Sequence, residues 1–171
     1  MMPSALISAL AGLGVAFAIT ASLVEPRPIL VWNATASAPL GLYSIAPFTG
    51  SHIGDLVLVQ PDPASAAVYA ERGYLPPGVP LLKRVGALGG MRVCEHAGDV
   101  TIEGRHVANA LPSDGRGRPM TPWSGCRALS DGEFFALNAD VQTSLDGRYF
   151  GPSLLSSVIG RATPVWTVKD R

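Results

Sequence analysis

The sequence predicts a mainly β domain with one short helix, preceded by a single membrane-spanning helix. Three observations support this fold class: an uncharged apolar segment near the N-terminus, several short segments that alternate apolar and polar residues, and one capped Ala-rich segment. The 171 residues suffice for one domain with its own core. We therefore divide the chain into a membrane anchor, residues 1–27, and a single domain, residues 28–171.

The overall charge argues against a nucleic-acid-binding protein. Lys and Arg together number 13, as do Asp and Glu, so the formal charge is zero and the sequence pI is about 6.8. No basic field is available to attract a polyanion. Hydrophobic residues make up 47% and charged residues 15%, which is more apolar than a typical soluble protein.

The apolar excess lies in residues 5–24, which carry no charge. A helix of this length roughly matches the ~30 Å hydrocarbon core of a bilayer. The alternative is a cleaved secretory signal, because residues 16–18 (Ala-Phe-Ala) would suit a cleavage site. A signal's apolar region is normally shorter and follows basic residues, which "MMPS" lacks. We therefore expect an uncleaved anchor.

The topology signals conflict. Arg27 follows the span and no Lys or Arg precedes it, which by the positive-inside rule places the domain in the cytoplasm. Cys94 and Cys126 are the only cysteines, and an even count suits one disulfide in an oxidising compartment, although two buried free thiols are the alternative.

Metal and cofactor sites are not expected. Neither cysteine belongs to a CxxC motif, and no histidine follows them at metal-site spacing. The three histidines are scattered and are expected at the surface or in hydrogen bonds: His52, His96 and His106.

A stretch near the start of the domain, "WNATASAPLGLYSI", has small polar residues at alternate positions. Asn33, Thr35 and Ser37 fall on alternate positions, so in a strand they would share one face just before Pro39 interrupts the ladder. A serine such as Ser37 is otherwise typical of a turn.

The segment that follows predicts strands separated by one helix. In "PDPASAAVYAERGYLPPG", Asp62 can cap a helix, Pro63 suits its first position, residues 64–72 favour it and Gly73 ends it. The expected strands are "GDLVLVQ", "PLLKRVGAL", a meander in "RVCEHAGDVTIEGRHVA", and "GEFFALNAD", with a Gly/Pro-rich loop in "NALPSDGRGRPMTPWSGC".

Lys83 is a candidate general base. A serine becomes a nucleophile when a neighbouring base takes its proton, and a lysine kept neutral by apolar surroundings is one such base. In "VPLLKRV", Leu81, Lys83 and Val85 project to one face, while Arg84 projects to the other. The alternative is an edge-strand or snorkelling lysine without a catalytic role.

The order of short motifs resembles the signal peptidase superfamily with a Ser–Lys dyad. The motifs are Ser37-x-Pro39, Gly54-Asp55, Lys83-Arg84-Val85, "SLDGRYFG" and "IGRA". Within it, "TASAPLGLY", "RGYLPPG" and "SLDGRYFGP" are most similar to the conjugative-transfer peptidases of the TraF type, over nearly all of the chain after the anchor.

This resemblance implies specific roles. Ser37 would be the nucleophile and Lys83 the base, and the Thr35 hydroxyl would hold the oxyanion together with the Ser37 N–H. Asp146 would complete a triad, or would form only an ion pair with Arg148. Relatives commonly have Asp-Ser-Arg where this chain has Asp-Gly-Arg, so we expect Lys83 to lack a hydroxyl partner. "GALGGMRV" also departs from the family pattern.

The resemblance further implies a coiled, β-barrel-like catalytic domain on the periplasmic face of the bacterial inner membrane, a location that the cysteines also favour. The expected function is a serine endopeptidase that trims, and by analogy cyclises, a conjugative pilin precursor. Its partners would be that precursor, inner-membrane lipid and the conjugative transfer machinery. The alternatives are a general leader peptidase and an inactive periplasmic assembly component.

Overall fold

In a computed structural model, the protein is described over residues 12–15 and 29–168. The anchor expected at residues 5–24 therefore lies outside the described residues, apart from one helical turn at residues 12–15. Within the described ranges, no helix combines the length and the apolar character needed to cross a membrane.

The described part of the chain is mainly β, as predicted. Its strands are β1 (Leu30–Asn33), β2 (Gly41–Pro47), β3 (Leu56–Val59), β4 (Leu81–Leu88), β5 (Arg92–His96), β6 (Asp99–Ile102), β7 (Arg105–Asn109), β8 (Gly125–Ala128), β9 (Glu133–Ala136), β10 (Ser153–Leu154) and β11 (Val158–Thr167). Its helices are α1 (Pro63–Glu71) and α2 (Gly147–Phe150), followed by a 3-10 turn, Leu155–Ser157. The predicted meander and the strands at β3, β4 and β9 are confirmed.

The strands form two antiparallel sheets. The larger sheet has the order β1-β2-β11-β3-β4-β9-β10, and the smaller has the order β7-β6-β5-β8. Register shifts in β11 and β4 interrupt the ladder, and such irregularities bend a sheet. The larger sheet is coiled but open, since β1 and β10 are its edges.

Helix α1 has the ends that the sequence predicts. The Asp62 side chain accepts hydrogen bonds from the N–H groups of Ala64 and Ser65, and Pro63 occupies the first helical position. Gly73 follows with a φ of +62°, a conformation that suits glycine. The local signals were sufficient here because capping involves only neighbouring residues.

Strand β9 connects the two parts of the core. Phe134 packs with Val57 and Val85, while the next residue, Phe135, packs with Val93 and Val100 of the smaller sheet. Successive strand side chains point to opposite faces, so one short strand contributes to both clusters. The position of β9 therefore fixes the smaller sheet relative to β4.

The expected disulfide is present. Cys94 and Cys126 are directly opposite each other on β5 and β8, with a Cα–Cα distance of 4.0 Å and bonded sulfurs. His96 shares a face with Cys94, and its Nε2 lies 3.5 Å from Cys126 Sγ, a proximity that sequence spacing did not indicate. Both sulfurs are in the disulfide, so neither is available as a thiolate ligand.

Three of the sequence motifs meet at the outer surface. Arg161, in "IGRA", forms an ion pair of 2.9 Å with Asp55, in the Gly-Asp pair before β3. Exposed Arg84 donates from Nη1 to the Gly54 carbonyl oxygen at 3.1 Å. These contacts connect β11, β4 and the turn before β3, which accounts for these motif residues structurally.

Candidate active site

The hydroxyl residues Thr35 and Ser37 lie in a loop, and the prediction that they continue a strand is wrong. Strand β1 ends at Asn33, whose buried side chain organises the loop. Its Nδ2 donates to the carbonyl oxygens of Thr35, Ala38 and Pro39, at 2.9, 3.0 and 3.1 Å. These bonds turn the backbone away from the ladder, and Asn33 thereby gains a role that the sequence did not assign.

The turn still brings the two hydroxyl groups together. Thr35 Oγ1 and Ser37 Oγ are 3.2 Å apart, and Thr35 Oγ1 also donates to Asn33 Oδ1 at 2.8 Å. A threonine hydroxyl has one proton, so the bond to Asn33 leaves Thr35 free to accept from Ser37. For Thr35 to stabilise an oxyanion, its proton must turn from Asn33 towards the substrate.

Lys83 lies on an interior strand, so the edge-strand alternative is wrong. Strand β4 pairs with β3 on one side and β9 on the other, and the direct cross-strand neighbour of Lys83 is Val57, which is fully buried. The Lys83 side chain is itself buried. Burial lowers the pKa of Lys83 to about 8, because an apolar environment disfavours the ammonium. The negative charge of Asp146 acts in the opposite direction, and the positive charge of Arg148 lowers this pKa further.

Ser144 supplies a hydroxyl partner to Lys83, which corrects the expectation that the base has none. Lys83 Nζ donates to Ser144 Oγ at 3.0 Å, and both groups are buried. The hydroxyl comes from two residues before Asp146, not from the position that Gly147 occupies. A Cβ at Gly147 would lie 2.7 Å from the Phe135 ring and from the Ala136 carbonyl oxygen, so close packing favours glycine there.

The candidate nucleophile, base and oxyanion residue line one cavity of about 340 Å³. Its wall includes Thr35, Ser37, Lys83 and Ser144, and apolar side chains provide most of the remainder. Lys83 also borders a second cavity, of about 500 Å³, whose lining includes Asp146. The volume and the mainly apolar lining of the first cavity suit a ligand with small or apolar groups.

Asp146 forms the ion pair that the sequence left open as an alternative. Its carboxylate accepts from Arg148 Nε and Nη2, both at 2.9 Å, and from the backbone N–H of Asn138 at 3.0 Å. The Asp146 and Arg148 side chains are both buried. Asp146 also caps α2 by accepting from the Arg148 N–H. A direct catalytic role for Asp146 stays a prediction.

Asn138 connects these parts, and sequence reasoning missed it. Its Nδ2 donates to the carbonyl oxygens of Ser37 and Leu82, and its Oδ1 accepts from the Arg84 N–H at 2.9 Å. One buried amide therefore joins the nucleophile loop to β4 on both sides of Lys83. The available signal was a single amide directly after the apolar run "FFAL", where a buried polar group requires partners.

The turn in "GALGGMRV" is also defined by packing. Gly90 has a φ of +84°, and a Cβ at Gly89 would lie 2.7 Å from Asp131 Cα. The departure from the family pattern therefore corresponds to a tight β4–β5 turn packed against residues 130–131.

Known proteins with similar sequences include several conjugal transfer proteins. A probable conjugal transfer protein TraF from Sinorhizobium fredii is 39% identical over 145 residues, covering 79% of this chain and 76% of that protein. Conjugal transfer protein TraF from Agrobacterium tumefaciens is 40% identical over 147 residues, covering 79% and 81%. Plasmid transfer protein TraF from Escherichia coli is 31% identical, with the same coverage.

Two further comparisons concern the signal peptidases. A solved signal peptidase I from Enterococcus faecalis covers 68% of this chain and 99% of that structure, with 18% identity and a TM-score of 0.40. The model of the family described as signal peptidase, peptidase S26, matches residues 3–167, which is nearly the whole chain. The chain therefore belongs to the signal peptidase family, peptidase S26, and it also resembles the TraF conjugal transfer proteins.

Proposed function

We propose that this protein is a membrane-anchored serine endopeptidase that trims a conjugative pilin precursor at the periplasmic face of the inner membrane. The observation that carries the proposal is Lys83: it is buried on an interior strand, its pKa is lowered to about 8, and it shares a cavity with Ser37. Base-activated attack requires a neutral amine that can reach the hydroxyl of the nucleophile, and Lys83 and Ser37 line the same cavity. The TraF relatives supply the conjugative context.

In the proposed reaction, Ser37 Oγ attacks the peptide carbonyl carbon while Lys83 Nζ accepts the hydroxyl proton. The Ser37 N–H and the Thr35 hydroxyl hold the resulting oxyanion, and Ser144 orients Nζ through its 3.0 Å hydrogen bond. Lys83 then gives its proton to the leaving amine, and an acyl-enzyme remains. Water, or the amino terminus of the pilin, attacks the ester, and Lys83 accepts the proton of that second nucleophile. The bond between Ser37 Oγ and the acyl carbon then breaks, and Lys83 returns the proton to Ser37 Oγ.

Exposed aromatic side chains support the membrane-facing part of the proposal. Trp32 and Trp166 stack with ring centroids 5.8 Å apart, and each is more than half exposed. They lie on β1 and β11, close to the start of the described domain and therefore to the end of the expected anchor. Tryptophan is enriched at the interface between lipid and water, so this pair suits a domain held at the bilayer surface.

The test is mass spectrometry of a candidate pilin precursor co-expressed with the wild-type protein, Ser37→Ala or Lys83→Ala. We expect trimming with the wild type, and no trimming with either variant although both remain folded. A product one water lighter than the trimmed linear chain would identify cyclisation. Trimming by both variants would exclude the peptidase proposal, and trimming of unrelated leader sequences instead would favour a general leader peptidase.

A further inference from the structure

A loop over residues 113–120, which we call the strap, forms one wall of the candidate active-site cavity. Ser113 and Pro119 form an isolated bridge, and the Met120 N–H donates to the Pro112 carbonyl oxygen at 2.9 Å. Within the strap, Asp114 Oδ1 accepts from the backbone N–H groups of Arg116 and Arg118, both at 2.9 Å. The strap is therefore closed on itself by its own hydrogen bonds.

The strap is also fastened to the end of helix α1. Arg118 donates from Nε to Asp114 Oδ2 at 2.7 Å and from Nη1 to the Arg72 carbonyl oxygen at 3.0 Å. Arg72 Nη1 donates to the Pro119 carbonyl oxygen at 2.9 Å, and Tyr74 donates to Asp114. The Arg118 guanidinium lies 4.9 Å from the centre of the Tyr74 ring. The strap and the end of α1 therefore hold each other in place without a bound substrate.

The charged residues that line the cavity differ in whether they have an ion-pair partner. Lys83, Asp114 and Arg116 are its charged lining residues. The Tyr74 hydroxyl and Arg118 hold the pKa of the Asp114 carboxyl well below its usual range, so this group is ionised, and Arg118 offsets its charge. Among the residues that the structure describes, Arg116 forms no salt bridge.

The Arg116 side chain is placed to meet a ligand. It is exposed and lines the cavity, and its Nη1 lies 3.9 Å from the position of a Cβ at Gly73, just beyond α1. The side chain therefore extends from the strap to Gly73, just beyond the end of α1, and both positions line the cavity. Only the backbone N–H of Arg116 takes part in the strap turn, so the guanidinium is not needed to hold the strap.

We propose that Arg116 is a substrate-binding residue that selects peptides carrying a carboxylate near the scissile bond. That carboxylate comes from an Asp or Glu side chain or from a free C-terminus, and it pairs with the guanidinium while the apolar lining holds the neighbouring residues. Arginine suits this role because its planar fork binds a carboxylate through two parallel hydrogen bonds. The inference rests on the proposed peptidase function and adds a substrate class to it.

The test is cleavage of a defined mixture of synthetic peptides by the purified full-length chain, with cleavage sites identified by mass spectrometry. The mixture is prepared twice, with C-terminal acids and with C-terminal amides, which separates the two sources of carboxylate. The variants are Arg116→Gln and Arg116→Glu, with Arg105→Gln, an exposed arginine on β7 of the other sheet, as the matched control. Ser37→Ala defines the background.

We expect the wild type to prefer peptides with a carboxylate at a fixed distance from the cleaved bond. Arg116→Gln should lower kcat/KM for those peptides by about three- to tenfold, leave neutral peptides unchanged and leave Arg105→Gln indistinguishable from wild type. Arg116→Glu should shift the preference towards Lys and Arg. If the C-terminus is the ligand, amidation should cause the same loss as Arg116→Gln.

The results that would overturn the inference are of two kinds, which differ in what they imply for the proposed function. Ser37-dependent cleavage without a carboxylate preference, or an equal effect of Arg116→Gln and Arg105→Gln, would exclude Arg116 as a substrate-binding residue and leave the peptidase proposal intact. Absence of any Ser37-dependent cleavage would remove the proposed function and the inference together.

Discussion

The rate of peptide cleavage should depend on pH through Lys83, whose pKa is lowered to about 8 by burial. With that pKa, about a tenth of the side chains are neutral at pH 7, against about one in three thousand for a lysine with the ordinary value of 10.5. We expect kcat/KM to rise about tenfold per pH unit below pH 7 and to level off above about pH 9.

The perturbation that tests this reasoning is Val57→Thr. Val57 is the cross-strand neighbour of Lys83, and the substitution keeps its shape while adding a hydroxyl that can stabilise the ammonium. The pKa of Lys83 should therefore rise, so that the rate falls several-fold near pH 7 while the plateau at high pH is unchanged. Val100→Thr makes the same change at an equally buried valine in the smaller sheet, and it should leave the pH dependence of the rate unchanged.

The same ionisation has a consequence for stability. The folded-state pKa of about 8 lies below the unfolded value of 10.5, so between these values the unfolded chain binds more protons. The free energy of unfolding should therefore increase as pH rises from about 8 to about 10.5, by roughly 3 kcal/mol from this group. A rate profile that stays flat below about pH 8 with chemistry rate-limiting would refute Lys83 as the base. Equal effects of Val57→Thr and Val100→Thr on that profile would refute the assignment of the ionisation to Lys83.

Three further substitutions separate catalytic from structural roles. Ser144→Ala should reduce kcat by about tenfold or more with little change in melting temperature, because Nζ loses its orienting partner; an unchanged kcat would exclude that role. Asp146→Asn should lower the free energy of unfolding by about 3–5 kcal/mol in denaturant titrations, because buried Arg148 loses its partner; full stability would contradict this. Replacing Cys94 and Cys126 by Ser should lower the free energy of unfolding by about 3–4 kcal/mol while turnover per folded molecule stays unchanged, and a loss of turnover would show that the smaller sheet affects the site.

The elements that the sequence predicted well depend on local regularities. Alternation identified β3 and β4, capping residues identified α1, and Gly-containing turns identified the meander. The burial of Lys83 also follows from alternation, because a face shared with Leu81 and Val85 was expected to be apolar. Whether β4 was an edge or an interior strand depends on pairing with β9, some fifty residues away, and no local pattern contains that information.

The contacts that complete the candidate site do not follow a period. Asn33 bends a loop by bonding to three carbonyl groups, and Ser144 approaches Lys83 from a loop. Asn138 bonds to Ser37, which is 101 residues away in the sequence, through its side chain and not through a strand pair. Each is a short polar side chain in or beside a turn. The sequence does not distinguish a side chain that bonds to its neighbours from one that bonds to a distant segment. Motif comparison located the dyad candidates, but the assignment of Lys83 without a hydroxyl partner was wrong because only Gly147 was considered.

The position of Asp146 explains how a carboxylate can lie near a lysine base without keeping it protonated. A free negative charge beside Lys83 would raise its pKa and hold the proton, which a base must release. Here both carboxylate oxygens of Asp146 are bonded to Arg148, so Lys83 faces a nearly neutral ion pair whose two charges act on its pKa in opposite directions. Burial is then the largest influence and brings the pKa to about 8. On this argument Arg148 is needed to keep Lys83 neutral, because loss of the guanidinium alone would leave the Asp146 carboxylate to stabilise the ammonium of Lys83.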